Sequence, residues 1–276
     1  MDNDPRSYIS THQIGRARVS QINDGVGGWY PRLQAPEVEW RAALPQADAN
    51  GWVENDHYTG LIEIGDARIL VDTGFDDPGP ESHFMPPRYK RTPGVTAGLA
   101  TFGLKPEDVT HVVFTHFHGD HVAGTLEDGR PRFPNARHYV GAADLAAAKE
   151  RGGIEGAALG GLEQAGVLEL VRGDRQIVPG VTMIHAPGES PGHSIVRVQD
   201  GGMTAYFLGD LFHFPCEVEQ LDWVSPGRDP IAARESRTRL LESAANTNAL
   251  VTYSHAAFPG WGRMKRRGDG FRWEPL

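Results

Sequence analysis

Residues 105–121 read KPEDVTHVVFTHFHGDH. The opening KPED predicts a turn and a helix start, and the apolar run behind it predicts a strand over His111–Phe114. His116 and His118 stand two apart at the end of that strand, so an extended backbone points both rings to one side. Imidazole nitrogens suit zinc, and two from one strand end supply half of a tetrahedral site. Gly119 permits a tight turn, after which Asp120 and His121 can face a second position.

Three further candidates lie downstream: His193 in SPGHSIVRV, Asp210 in YFLGDLFH and His255 in LVTYSHAAF. Each follows a turn or ends an apolar strand, where a rigid scaffold presents side chains at a sheet edge. Together with the HxHxDH string they fill two metal sites without surplus. His116, His118 and His193 form one, and Asp120, His121 and His255 form the other. The Asp210 carboxylate can bridge them. Two divalent metal ions are therefore expected, with zinc suited to the donors and iron, manganese or cobalt compatible with the same set.

The rest of the chain sets the frame. Its 276 residues carry a net charge of −9, with 39% hydrophobic and 23% charged residues. That length buries a substantial core, and the charge disfavours a large nucleic-acid surface. The lone cysteine, Cys216, excludes an internal disulfide and a cysteine-only zinc site. The start MDNDPRSYIS lacks the basic and apolar regions of a signal peptide, and no apolar run is long enough for a membrane span. The expectation is a cytoplasmic protein with neither membrane nor nucleic-acid partners. Glycine and proline make up about a fifth of the chain, which implies many short connections.

Two strands joined at Gly65-Asp66 are expected in TGLIEIGDARILVDTGF, followed by a Pro-rich loop over Asp77–Pro93 suited to a lid or a dimer contact. Helices are predicted over Val95–Phe102, Asp144–Arg151, Gly161–Leu168 and Pro230–Ala245. Strands are predicted over Gln176–Val178, Thr182–His185, Ser194–Gln199, Thr204–Leu208 and Leu250–Tyr253. The run MKRRG near Arg266 reads as a solvated loop. Periodicity reaches no further than a one-domain α/β or α+β protein.

In the order and spacing of LVDTG at Leu70–Gly74, THFHGDH, PGH at Pro191–His193, GD at Gly209–Asp210 and the late His255, the chain resembles the metallo-β-lactamase-fold superfamily of dinuclear metallohydrolases. The resemblance implies an α/β fold, a four-layer αβ/βα sandwich in one domain over residues 1–276, with the metals at one edge of two facing sheets. It also implies that Asp72 orients metal ligands by hydrogen bonding. One departure stands out. Many members carry HTPGHTPGH before the third ligand, whereas this chain has Glu189 at the middle histidine, which is not the usual ligand.

Within the superfamily, the tail SHAAFPGWGRMKRRGDGFRWEPL, the FPNARHYV segment and GDLFHFP are similar to the branch of lactonases and methyl parathion hydrolase. What this implies is a hydroxide bridging two ions that attacks a small ester, a lactone first, with organophosphate triester or aryl ester hydrolysis as a side activity. Asp120 would bind metal and return a proton to the leaving group. His213 sits where related lactonases place a tyrosine near the leaving group. Phe117, Trp223, Phe258, Trp261, Trp29 and Tyr30 are candidates to line an apolar pocket, with core packing the alternative for each. A homodimer is common among such proteins. The competing readings are a phosphodiesterase or nuclease, which the charge does not favour, and a metal-binding sensor of the same fold.

Overall fold

The computed structural model describes residues 5–75 and 89–276. Its first half contains β1 (Ile9–Ile14), β2 (Ala17–Trp29), α1 (Glu37–Ala43), β3 (Val53–Ile64), β4 (Ala67–Val71), β5 (Lys90–Arg91), α2 (Gly94–Thr101), β6 (His111–Val113) and α3 (Gly119–Val122). It continues with β7 (Leu126–Glu127), β8 (Arg130–Pro131), β9 (Arg137–Gly141), α4 (Asp144–Arg151), α5 (Gly153–Ala165) and β10 (Leu168–Val171). The second half contains β11 (Arg175–Val178), β12 (Val181–His185), β13 (Ser194–Asp200), β14 (Met203–Phe207), α6 (Cys216–Glu219), α7 (Pro230–Asn246), β15 (Leu250–Thr252), β16 (Trp261–Arg267) and β17 (Gly270–Pro275).

One sheet runs β1-β2-β3-β4-β6-β9-β10 with β5 on β2, and the other runs β11 through β17 in order. Period-two alternation sends neighbouring side chains to opposite faces. Ile62, Ile69, Val71 and Val113 pack with Val196, Val198, Phe207 and Trp261 of the second sheet. Leu61, Leu70 and Val112 instead meet Val95 and Leu99 of α2 and Leu159 and Leu162 of α5. On the far side, Leu240, Leu241 and Ala244 of α7 cover Tyr206, Val251 and Met264. The result is the expected α/β/β/α sandwich.

Most predicted elements form within a residue or two of their expected bounds, and two differ. The helix expected over Gly161–Leu168 begins at Gly153 and stops at Ala165, because Gly166 takes the left-handed conformation (φ 69°) that ends a helix and frees Leu168 for β10. The MKRRG run is not a loop. It lies in β16, paired with β17, and keeps Arg266 and Arg267 at the exposed end of that hairpin. Of the Pro-rich segment, residues 77–88 fall outside the described residues, and Lys90–Arg91 pairs with β2. Among the described residues no helix is long and apolar enough to cross a membrane.

The topology fixes where a site can form. β4 and β6 are parallel, as are β14 and β15. Thr115 after β6 meets both Asp72 after β4 and Gly209 after β14, so the carboxyl ends of both pairs open toward one edge, where ligands gather in α/β proteins. Asp72 follows β4, His116 follows β6, Asp210 follows β14 and His255 follows β15.

Candidate metal centre

The seven residues expected as ligands converge at this edge. Asp210 lies at the middle. Its Oδ1 is 3.2 Å from His121 Nε2 and 3.1 Å from His255 Nε2, and its Oδ2 is 3.7 Å from His116 Nε2. Asp120 Oδ2 stands 3.6 Å from His121 Nε2 and 3.5 Å from His255 Nε2. Asp120, His121, Asp210 and His255 thus present four donor atoms within 4.8 Å of one another. His116 packs against His118 and His193, with ring centroids 4.4 and 5.3 Å apart. His193 Nε2 faces the Asp210 backbone amide at 3.2 Å and stands outside the tighter donor groups.

Each ring is aimed by its other nitrogen. His121 Nδ1 lies 2.8 Å from Asp72 Oδ2, His193 Nδ1 2.9 Å from the Ala186 carbonyl, His255 Nδ1 3.1 Å from the Asp56 carbonyl and His116 Nδ1 3.1 Å from Thr115 Oγ1. An acceptor at Nδ1 places the proton there and leaves the Nε2 lone pair of His116 and His121 for a cation, whereas that of His193 accepts from the Asp210 amide. Asp72 also accepts from the Thr115 amide at 2.7 Å and the Thr115 hydroxyl at 2.8 Å, and so ties the end of β4 to the histidine segment.

The donors fit the implied ions. His116 Nε2, His121 Nε2 and Asp210 Oδ1 are buried without a hydrogen-bond partner. Buried polar atoms are seldom left so, and three of them pointing into one space form the signature of a cation site. Burial opposes charge on Asp210, yet His255, His121 and His213 hold its carboxyl well below the usual carboxylate range.

A cleft of about 370 Å³ opens onto the cluster, lined by Trp29, Tyr30, Arg32, His118, Asp120, Asp210, His213, Ser225, Arg228 and His255 among others. Of the aromatic candidates only Trp29 and Tyr30 border it. Phe117 is in the core under α2 and α5, and Phe258 packs on Tyr58. Trp223 and Trp261 line a different cavity of about 760 Å³ that no expected ligand touches. Size therefore does not mark the reactive cavity, and the donor atoms do. His213 reaches the cleft with Nε2 3.2 Å from Asp210 Oδ2, and its ring stacks on His255 at 5.7 Å. Cys216 is buried, and burial followed by the Glu217 charge pushes its thiol up to about 12, so it supplies no nucleophile.

Two residues at the site had no expectation of a role. His57 in β3 is buried, with its Nδ1 3.8 Å from Asp120 Oδ2 and neither ring nitrogen hydrogen-bonded. Burial, then the neighbouring His255, lowers it to about 3, so it stays neutral. Nothing in ENDHYTG marks it, because a strand histidine acquires meaning only from what packs opposite. Glu189, set aside in the sequence as a replaced non-ligand, enters the cluster with Oε1 3.2 Å from His118 Nδ1.

Residues 52–255 match the sequence profile described as Metallo-beta-lactamase superfamily. An N-acyl homoserine lactonase of Bacillus cereus is 26% identical over 209 residues, covering 71% of this chain and 79% of its own. A probable metallo-hydrolase of Mycobacterium bovis is 28% identical over 183 residues, and the match spans 56% of that protein. Among solved structures, a dizinc quorum-quenching lactonase, AidC, in complex with a homoserine product superposes with a TM-score of 0.79 at 23% identity, over 97% of each chain. A hydrolase of the β-lactamase superfamily, AbOPH, gives 0.83 at 23% identity and the same coverage. The profile spans most of the chain, the sandwich is the one these structures share, and the chain therefore belongs to the metallo-β-lactamase superfamily as a metal-dependent hydrolase.

Proposed function

We propose that this hydrolase uses two divalent ions to open a small ester, a lactone in the first instance, with aryl ester or organophosphate triester hydrolysis as a side activity. The observation that carries the reading is the convergence of buried, unpaired donor atoms around Asp210 beneath a cleft of small-molecule size. The similarity to N-acyl homoserine lactonases supports the choice of a lactone.

In this reading His116, His118 and His193 hold one ion, Asp120, His121 and His255 hold the other, and Asp210 lies between them. Zinc suits the imidazole-rich set, as in the dizinc neighbour. Bound there, two such ions supply an activated water at neutral pH and a Lewis acid. The chain's own residues do the rest. Asp120 is partly open to the cleft, so it can both hold an ion and pass a proton to the substrate side. His213, held beside Asp210, is placed to donate to the departing oxygen. Trp29 and Tyr30 offer an apolar wall to the acyl part of the substrate and exclude water from it.

Metal content of the purified protein, with turnover of one lactone and one aryl phosphotriester by the wild type and Asp210→Ala, tests the reading. About two equivalents of metal and turnover abolished in the variant are expected from a carboxylate between two ions. Less than one equivalent, with no hydrolysis after zinc or manganese is added back, would overturn it.

A further inference from the structure

Glu189 has more to do than complete an ion pair. It lies in the connection between β12 and β13, on a backbone with no freedom to swing. Asp144 accepts from the Gly192 amide at 2.7 Å and from Ser190 Oγ at 2.9 Å, and the Gly188 carbonyl accepts from the Asp229 amide at 3.0 Å. Gly188 itself has φ 143° and approaches α7 so closely that a Cβ would stand 2.4 Å from Ala233 Cα. The loop is thus built to carry a side chain at position 189 into the site.

The Glu189 side chain is 2% exposed. Its Oε2 accepts from Arg228 Nε at 2.5 Å and stands 3.7 Å from His213 Nε2. Its Oε1 faces His118 Nδ1 at 3.2 Å and pairs with Arg228 Nη2, but makes no hydrogen bond of good geometry. His116, His118 and Glu189 each bring a donor atom within 4.8 Å of the others, and so do Glu189, Asp210 and His213. Donors bonded at about 2.0–2.2 Å to one ion lie roughly 3–4 Å apart, which is the spacing of Oε1 from His118 Nδ1. Arg228 is 27% exposed, so its attraction is diluted by water while the carboxylate carries a full desolvation cost. His118, His213 and Arg228 together offset that cost, and a cation between His116, His118 and Glu189 would add to what they supply.

We infer that Glu189 Oε1 is a ligand of the first ion, added to His116, His118, His193 and Asp210, with Arg228 paired to both carboxylate oxygens. This rests on the two-ion reading and goes beyond it in two ways. The first site becomes richer in oxygen and higher in coordination, which shifts its preference from zinc toward manganese or iron. It is also closed by protein on one side. The cleft is lined by Asp120 and His255 of the second ion's set and, from the first ion's set, by His118 but not by Glu189, His116 or His193, so the second ion would be the more open of the two to the substrate's carbonyl.

A crystal structure of the zinc-loaded wild type reads the assignment directly. An Oε1-to-ion distance of about 2.0–2.2 Å is expected, and a separation with no bond overturns it. Chelator competition on the wild type, Glu189→Gln and Arg228→Gln gives the independent readout. Glu189→Gln is expected to weaken one of the two ions by more than the roughly 10–100-fold that loss of an orienting partner costs, and to spare the other. Arg228→Gln, which frees the carboxylate, is expected to leave both affinities unchanged or to tighten one. Two ions in the wild type with no change in Glu189→Gln, or an equal loss in both variants, makes Glu189 an ion-pair partner only and overturns the inference alone. Fewer than two ions in the wild type overturns the two-ion reading, and this inference with it.

Discussion

Asp72 shows how one side chain organises the site from outside it. It adopts φ 63°, a conformation that costs a non-glycine residue about 1–3 kcal/mol, and persists because its carboxylate ties Thr115 and His121 in place. Asp72→Asn tolerates the backbone but turns an amide toward His121 Nδ1, so the ring loses the acceptor that sets its tautomer. The expected result is a loss of about 10–100-fold in affinity for the second ion alone, measured by chelator competition, with an unchanged circular dichroism spectrum. Equal affinity in both proteins would remove Asp72 from the metal argument. His213 yields a prediction in the same register. If it donates to the departing oxygen, His213→Phe should lower kcat by about 100-fold for alkoxide leaving groups and far less for acidic phenols. A loss independent of the leaving group would assign it to packing.

At the scale of elements, the loop that presents Asp210 and His213 is held by α6 and α7. Glu217 of α6 accepts from the His213 and Phe214 amides, and Arg237 of α7 donates to Glu217 Oε1 at 2.9 Å. Arg237 also donates to the Leu211, Leu221 and Trp223 carbonyls. Burial opposes ionisation of Glu217, but Arg237 and then the His213 hydrogen bond hold its carboxyl at about 2. Removing one member of so buried a pair leaves an uncompensated charge, so Arg237→Leu should destabilise the chain by about 3–5 kcal/mol in urea unfolding. A loss near zero would show that the loop does not depend on the pair. The helix itself is plain in the sequence, because Asp229 caps it by accepting from Ile231 and Ala232, and Pro230 opens its first turn. That Arg237 faces inward is not. Helical period places it on a face, and only the carbonyls of another loop make that face a buried one.

For the whole molecule, acid sensitivity follows from histidines enclosed between sheets and helices. His138 in β9 is fully buried against Phe114, and burial lowers it to about 4. The unfolded chain takes up this proton near 6.5 and the folded chain only near 4. The stability linked to it is therefore fully present above pH 6.5 and lost as pH falls toward 4, by up to about 3 kcal/mol. Comparing urea unfolding of metal-free wild type and His138→Phe at pH 7.5 and 4.5 isolates this residue, and the wild type should lose more. Parallel losses would place the acid sensitivity elsewhere.

The spacing of His116, His118, Asp120 and His121 is local, and it survives folding because a strand end and one tight turn display it unaided. The sandwich was legible for a related reason. Alternation in GLIEIGDARILV and helical period in residues 230–245 each record which face is buried. Glu189, His57 and Arg228 had no such record, and of the six aromatic candidates the sequence offered nothing that singled out Trp29 and Tyr30. Glu189 reaches the site from a loop pinned by Asp144 and α7, His57 from a strand across the sheet, and Trp29 from the end of a long bulged strand. Their roles depend on which segment meets which across tens of residues, and the packing of two sheets sets those meetings, whereas chemistry confined to seven consecutive residues can be read from the chain alone.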